Sequence, residues 1–211
     1  MIVAIDGPAA AGKGTLARML AKHYGWAYLD TGALYRAVGR RVLRTGGDPT
    51  DEAAAATAAR SLDPTDLKDP ELRTEETAQA ASKVAELQTV RTALLKFQRN
   101  FAEYPPGGKN GVVVDGRDIG SVVLPNAQVK FYVTASTEER ARRRAAELSK
   151  GREKAPDTLA VAEEMAERDR RDAERKFSPM LPAPGAYLLD TTDLDIDATF
   201  AAAKAYISGR F

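Results

Sequence analysis

The first fifteen residues, MIVAIDGPAAAGKGT, restrict the fold more than any other stretch of this 211-residue chain. An apolar run, IVAID, stops at Asp6 and passes straight into a loop in which Gly7, Gly12 and Lys13 stand at the spacing G-x-x-x-x-G-K. The helical composition of TLARMLAKHY follows at once. Glycines let backbone N–H groups turn inward, a helix N-terminus adds its dipole, and a lysine at the helix start supplies a point charge. Strand, glycine loop and helix in that order read as a seat for a chain of phosphates.

Four further apolar runs end in turn or polar residues: AYLD (27–30), GVVVD (111–115), VKFYVT (129–134) and AYLLD (186–190). Longer stretches of helical composition separate them. Continuous apolar strands alternating with helices predict a three-layer α/β core whose five-stranded parallel sheet is covered on both faces. Most of the surplus chain lies in two places. Residues 45–108 are rich in Ala, Glu and Gln and broken by Pro49, Pro64, Pro70, Pro105 and Pro106; residues 145–176 are crowded with arginine, with Gly151 and Pro156 as breakers. Both read as mobile appendages on a single domain spanning 1–211.

Composition narrows the chemistry. Lys and Arg number 31 against 30 Asp and Glu, a formal charge of +1, so the chain lacks the positive field that non-specific nucleic-acid binding requires. Cysteine is absent and His23 is the one histidine, which excludes Cys/His zinc sites, thiol nucleophiles and disulfides together. Catalysis must rest on carboxylates, hydroxyls, lysine, arginine and backbone amides. No apolar stretch approaches membrane-spanning length, and the opening residues already read as a strand rather than a leader, so a cytoplasmic protein with no membrane partner is expected.

The opening loop has P-loop spacing, with the hydroxyl at Thr15, one residue beyond the usual place after the lysine, where Gly14 stands. Thr15 is therefore the candidate magnesium ligand, the ion otherwise being held through water. P-loops serve motors, switches and kinases, and the N-K-x-D motif expected of a GTPase switch is absent. In LDTGALYR (29–36), Thr31 can cap a helix that carries Arg36; the same segment also reads as a plain capped helix with a solvated arginine. VVVDGRDIG puts Arg117 and Asp118 in a glycine-bounded loop at the carboxyl end of a strand, where open α/β sheets bind ligands, or else in a surface turn. In ERDRRDAER (167–175), Arg168, Asp172 and Arg175 fall on one helical stripe. That stripe is either a salt-bridged solvent face or a pair of cations and a carboxylate able to hold phosphate and sugar hydroxyls.

Taken in order, IDGPAAAGKGT, YLDTGALYR, AASKVAELQTVR, VDGRDIGSVVLPNA, ASTEERARRR, ERDRRD and LLDTTDLDID resemble the nucleoside monophosphate kinases, and among them the bacterial-type cytidylate kinases. The resemblance implies phosphoryl transfer from ATP, with Mg2+, to CMP or dCMP. It also implies a mainly helical monophosphate-binding lobe in the first appendage, a short arginine-rich lid in the second, and a monomer with small nucleotides as its partners. It assigns Gly7, Ala10, Ala11, Gly12, Lys13, Gly14 and Thr15 to the ATP phosphates, with Arg140 and Arg144 near the bound ATP. Arg36 and Arg117 meet the CMP phosphate; Ser82, Arg91 and Asp118 read cytosine with Thr31 close by. Arg168 and Asp172 lie near the ribose, and Arg175 completes the phosphate clamp. Lys13, Arg117, Arg168 and Arg175 are the expected catalytic groups.

Two features depart from a simple transfer of the family pattern. Ser82 and Arg91 are nine residues apart, which on one straight helix places them on opposite faces, so a break is expected at Gln88-Thr89 with Thr89 as the new cap. The antiparallel β excursion usual in the first appendage of bacterial-type members has only LDPTDLKDPELRT to form from, too short and too strand-poor. Either a loop replaces it or the lobe is built differently. Two other functions stay open on the residues alone: a P-loop kinase for another monophosphate or metabolite, and a P-loop nucleotide switch.

Overall fold

The computed structural model describes residues 1–149 and 156–210; Gly151, one of the expected breakers, lies outside them. The described strands are β1 (Ile2–Asp6), β2 (Ala27–Asp30), β3 (Val112–Asp115), β4 (Val129–Thr134) and β5 (Tyr187–Asp190). The helices are α1 (Lys13–Tyr24), α2 (Thr31–Arg44), α3 (Glu52–Arg60), α4 (Glu75–Val84), α5 (Gln88–Glu103), α6 (Thr137–Leu148), α7 (Thr158–Glu174) and α8 (Ile196–Ser208). The strands pair in parallel in the order β2-β3-β1-β4-β5. From β1 the chain runs to β2 on one side of the sheet, and after β3 it crosses to β4 on the other. The carboxyl end of β1 is thus the switch point at which such sheets open a crevice. Register sets Asp30 and Ile5 opposite Asp115, and Asp6 opposite Tyr132, so three aspartates converge at that edge.

Alternation along the strands sorts the core. Val3, Ile5, Val113, Phe131 and Val133 face α1 and α8, where they meet Leu16, Leu20, Ala203 and Ile207. Ala4, Leu29, Val112 and Val114 face the other way, against Ile119, Val123 and Ala102. Full burial of each large aliphatic side chain stabilises by about 1.5–3 kcal/mol, which anchors the strand ends that carry the aspartates. The edge strand β5 departs from the expectation of strands covered on both faces. Only Leu189 is buried, while Tyr187 and Leu188 are exposed, unlike the residues of the other edge strand, β2.

Residues 45–108 form a helical lobe in which Leu34, Val38 and Val42 of α2 pack on Ala55, Ala58 and Ala59 of α3 and on Val90 and Leu94 of α5. α4 crosses α2 so closely that a Cβ on Gly39 would lie 2.9 Å from Ala80. A loop stands where the β excursion would be: 3-10 turns at Asp66–Lys68 and Pro70–Arg73, tied to α2 by Arg41 to Asp66 at 2.6 Å and Arg40 to Asp69 at 3.4 Å. The break between Ser82 and Arg91 exists but falls at 85–87, and Thr89 is not its cap. Leu87, half-buried against the lobe core, takes that position, and the Thr89 hydroxyl donates instead to Glu52 Oε1 at 3.1 Å.

Candidate functional site

The loop after β1 is shaped by close approach. Gly7 has φ 137°, and a Cβ there would lie 1.9 Å from the Val133 carbonyl oxygen of β4, so no other residue fits. Ala10 is held at φ 57°, a strained value for a residue with a side chain. Gly12, at φ 91°, begins α1 without a side-chain cap, which leaves the first amides of the helix free to meet an anion. Lys13 is buried and donates to the Pro8 carbonyl. Burial and the nearby Arg117 pull its pKa well below the ordinary lysine value, against the pull of Asp115 and Asp169.

Asp6, which ends β1, fixes the neighbouring loop. Its carboxylate oxygens accept from the Ile119 and Gly120 amides, each at 2.7 Å, and so set the single π-helical turn Ile119–Val123 that follows Arg117 and Asp118. Burial pushes the Asp6 pKa up to about 6 although both amides pull it down. Asp6→Ala strands two buried donors; we expect a loss of about 3 kcal/mol or more in urea unfolding, with a matching fall in any activity that uses Arg117 and Asp118.

Around that turn, four elements bring together most of the arginines and carboxylates expected from the sequence. Asp118 pairs with Arg91 of α5 and lies 3.5 Å from Arg175 Nη2. Arg91 also donates to the Ala85 carbonyl at 3.1 Å and lies 5.6 Å from the Tyr35 ring centroid. Asp172 of α7 accepts from Ser82 of α4 at 3.0 Å and from Arg117 Nε at 3.1 Å. Burial alone raises the Asp172 pKa, but Arg117, Arg168, Arg175 and the Ser82 hydroxyl outweigh it and hold the carboxyl below its ordinary value. The Ser82 hydroxyl is thus bonded to Asp172, while Arg91 pairs with Asp118. Arg175 closes α7: its N–H still donates to the Arg171 carbonyl at 3.1 Å, which keeps it in line with Arg168 and Asp172, its ψ of 139° turns the chain out of the helix, and its Nε donates to the Ser178 carbonyl.

Cations outnumber carboxylates here. Arg168 is driven down to about 10 by burial and by Arg117. Arg36 Nε, Arg168 Nε and Arg175 Nη2 are buried and have no hydrogen-bond partner among the described residues. Arg36 keeps one ion pair, to Asp30 at 2.7 Å. Asp30, not Thr31, caps α2, accepting from the Ala33 amide at 2.9 Å; the carboxylate stands one residue ahead of the hydroxyl, and Thr31 donates to the Asp115 carbonyl instead.

On the opposite side of the P-loop, Arg140 pairs with Asp169 and donates to the Ala135 carbonyl. Arg144 turns away to Glu75 and Glu147, each at 2.9 Å. Arg143, which the sequence did not single out, donates to the side chain and carbonyl of Thr191, and the Thr191 hydroxyl reaches the Ala11 carbonyl at 3.1 Å. These residues, with Thr15, Glu139 and Leu194, line a cavity of about 500 Å³ beside the loop. A second cavity, of about 480 Å³, lies by Ile2 at the amino end of the sheet; Arg99 lines it, and none of Arg36, Arg117, Arg168 and Arg175 does.

The family model for cytidylate kinase matches residues 3–208. The chain belongs to the cytidylate kinase family. It is 57% identical to a cytidylate kinase of Paramagnetospirillum magneticum, over 99% of this chain and 98% of the relative, and 53% identical to one of Methylocella silvestris, over 98% and 94%. A crystal structure of an uncharacterized protein from Eubacterium ventriosum shares the fold, with a TM-score of 0.58 at 15% identity over 99% of this chain and 98% of that one. In this cytidylate kinase family member the glycine loop after β1 stands near the arginine cluster, Lys13 being close enough to Arg117 and Arg168 for both to act on its charge. No helix among the described residues is long and apolar enough to cross a membrane.

Proposed function

We propose that this cytidylate kinase family member moves the γ-phosphoryl group of ATP to CMP or dCMP, giving ADP and CDP or dCDP. Beyond the family match, one observation carries the reading: three buried guanidinium nitrogens, Arg36 Nε, Arg168 Nε and Arg175 Nη2, have no hydrogen-bond partner among the described residues, only Arg175 Nη2 having a carboxylate, Asp118, as near as 3.5 Å. A phosphate monoester has the oxygens and the charge to satisfy them.

In this reading the loop Gly7 to Thr15 holds the ATP phosphates, Lys13 bridges toward the transferred group, and the cavity beside Thr191 and Arg143 takes the donor nucleoside. Arg36, Arg117 and Arg175 grip the acceptor phosphate. An oxygen of that phosphate attacks the γ-phosphorus in line as the bond to the ADP oxygen breaks. The transition state is loose and spreads charge over the moving oxygens, so positioning and cations supply most of the catalysis. The chain's lack of cysteine and its single, exposed histidine fit that demand. Residues 45–108 serve as the monophosphate-binding lobe and 145–176 as the lid of one domain that works as a cytoplasmic monomer.

Magnesium fits this donor set in a limited way. No cluster of three or more His, Cys, Asp or Glu side chains among the described residues could cage a metal ion. The Thr15 hydroxyl stands in the first turn of α1, and Asp115 Oδ2 would be 3.4 Å from a Cβ on Gly14. Thr15, with Asp115 through water, would hold an ion whose remaining ligands are water and phosphate, and that ion would neutralise charge on the nucleotide phosphates.

An ADP-release assay across CMP, dCMP, UMP, AMP and GMP tests the proposal; turnover with CMP or dCMP no better than with the others would refute it. Asp172→Ala separates a binding cluster from a solvent ion pair. Losing the carboxylate that Ser82 and Arg117 share is expected to raise the KM for CMP at least tenfold. A solvated face would instead change stability by roughly 0.5 kcal/mol or less and leave KM alone.

A further inference from the structure

α7 carries Arg168 toward the cluster around Asp172 and, on the very next residue, Asp169 toward the P-loop. The Asp169 carboxylate is mostly shielded from solvent. Its Oδ1 lies 3.5 Å from the Ala9 backbone nitrogen, an amide within the loop, and its Oδ2 forms the ion pair with Arg140 Nη1. Arg140 is itself seated by the Ala135 carbonyl at 3.1 Å, by Thr137 at 3.3 Å and by the Ala9 carbonyl at 3.5 Å. One carboxylate thus faces a loop amide and a buried arginine together, the two kinds of donor that a phosphate oxygen would use in this place.

We propose that Asp169 is an internal anion for the P-loop: before ATP binds, its carboxylate takes the position of a phosphate oxygen against the Ala9 amide and Arg140, and ATP binds by displacing it. The inference rests on the reading of Gly7 to Thr15 as the seat of the ATP phosphates. Carboxylate and phosphate compete for the same donors, and the triphosphate prevails because it also meets Lys13 and the remaining loop amides. The competition has a measurable cost. A ligand whose seat is open only part of the time binds with its affinity reduced by that fraction. Asp169 also places a negative charge near Lys13, which favours the charged lysine while no phosphate is bound. Displacement then moves α7 together with Arg168, so that filling the donor seat alters the acceptor side through one rigid helix.

The test is calorimetric titration of the full chain with ATP plus Mg2+, and separately with inorganic tripolyphosphate, in the absence of CMP. Asp169→Asn keeps the side-chain shape and removes the charge, and is expected to tighten both ligands by roughly five- to tenfold. Asp169→Ala should move both in the same direction, which guards against one variant failing to fold. Lys13→Ala is the control and should weaken both. Unchanged or weaker binding in the folded Asp169 variants, with Lys13→Ala still weakening ATP, overturns the internal anion and shows that Asp169 instead orients Arg140. If Lys13→Ala leaves ATP and tripolyphosphate binding unaltered, the phosphate-seat reading itself fails and the internal anion with it.

Discussion

Lys13→Ala is expected to lower kcat by roughly 10³-fold, the loss seen when a single preorganised charge is removed from a developing transition state. The fold should survive. The loop backbone is set by Gly7 against the Val133 carbonyl and by Gly12 at the start of α1, whereas the lysine makes one side-chain hydrogen bond, to Pro8. Truncation also removes a buried cation that Arg117 and burial already disfavour, so the thermal midpoint is expected to hold or rise. Circular dichroism and a coupled assay on the same sample decide the matter. Undiminished turnover in a folded Lys13→Ala protein would refute phosphate chemistry at this loop. A nucleotide switch predicts a different pattern, in which the unmodified protein binds ATP but transfers nothing to any acceptor.

The core was readable because its signals are local. Each of the five apolar runs forms a strand within a residue of its expected bounds; four end in an aspartate, and three of these, Asp6, Asp30 and Asp115, meet at the switch-point edge. Local signals failed where two groups compete for one role. Thr31 and Thr89 have hydroxyls suited to capping, but a carboxylate one residue earlier takes the first cap and Leu87, half-buried against the lobe core, takes the second position. Helical periodicity placed Arg175 correctly beside Asp172 but does not reveal that the chain leaves the helix at that arginine. Contacts between distant elements were the least legible. Ser82 meets Asp172 across 90 positions and Ala9 meets Asp169 across 160, and only the packing of α4 and α7 beside the loop brings these groups within reach. Asp169 lies inside a motif of which the sequence marks only Arg168, Asp172 and Arg175 as site candidates. Its neighbours at helical spacing, Met165, Ala166, Asp172 and Ala173, offer it no cation, and nothing in the sequence points it at a loop near the amino terminus.

The base is where the specificity of this chain is decided, and the unmodified protein is expected to favour CMP and dCMP over UMP by roughly 10⁴-fold in kcat/KM. Cytosine presents an exocyclic amine where uracil presents a carbonyl, and a carboxylate accepts only from the amine. Asp118 is suited to that task because it is buried and Arg91 and Arg175 flank it, which fixes its plane. Uracil would set oxygen against oxygen and leave buried groups unpaired. Asp118→Asn should narrow the gap chiefly by harming CMP. The amide cannot neutralise two arginines, so some loss of stability is expected as well, and a urea melt on the same variant separates the two effects. Ser82 tests the other flank. Its hydroxyl is already given to Asp172, so Ser82→Ala should act on the KM for CMP more than on the choice between bases. Equal or better use of UMP by the unmodified protein would defeat the assignment of Asp118 to cytosine and make this chain a pyrimidine monophosphate kinase of broader reach.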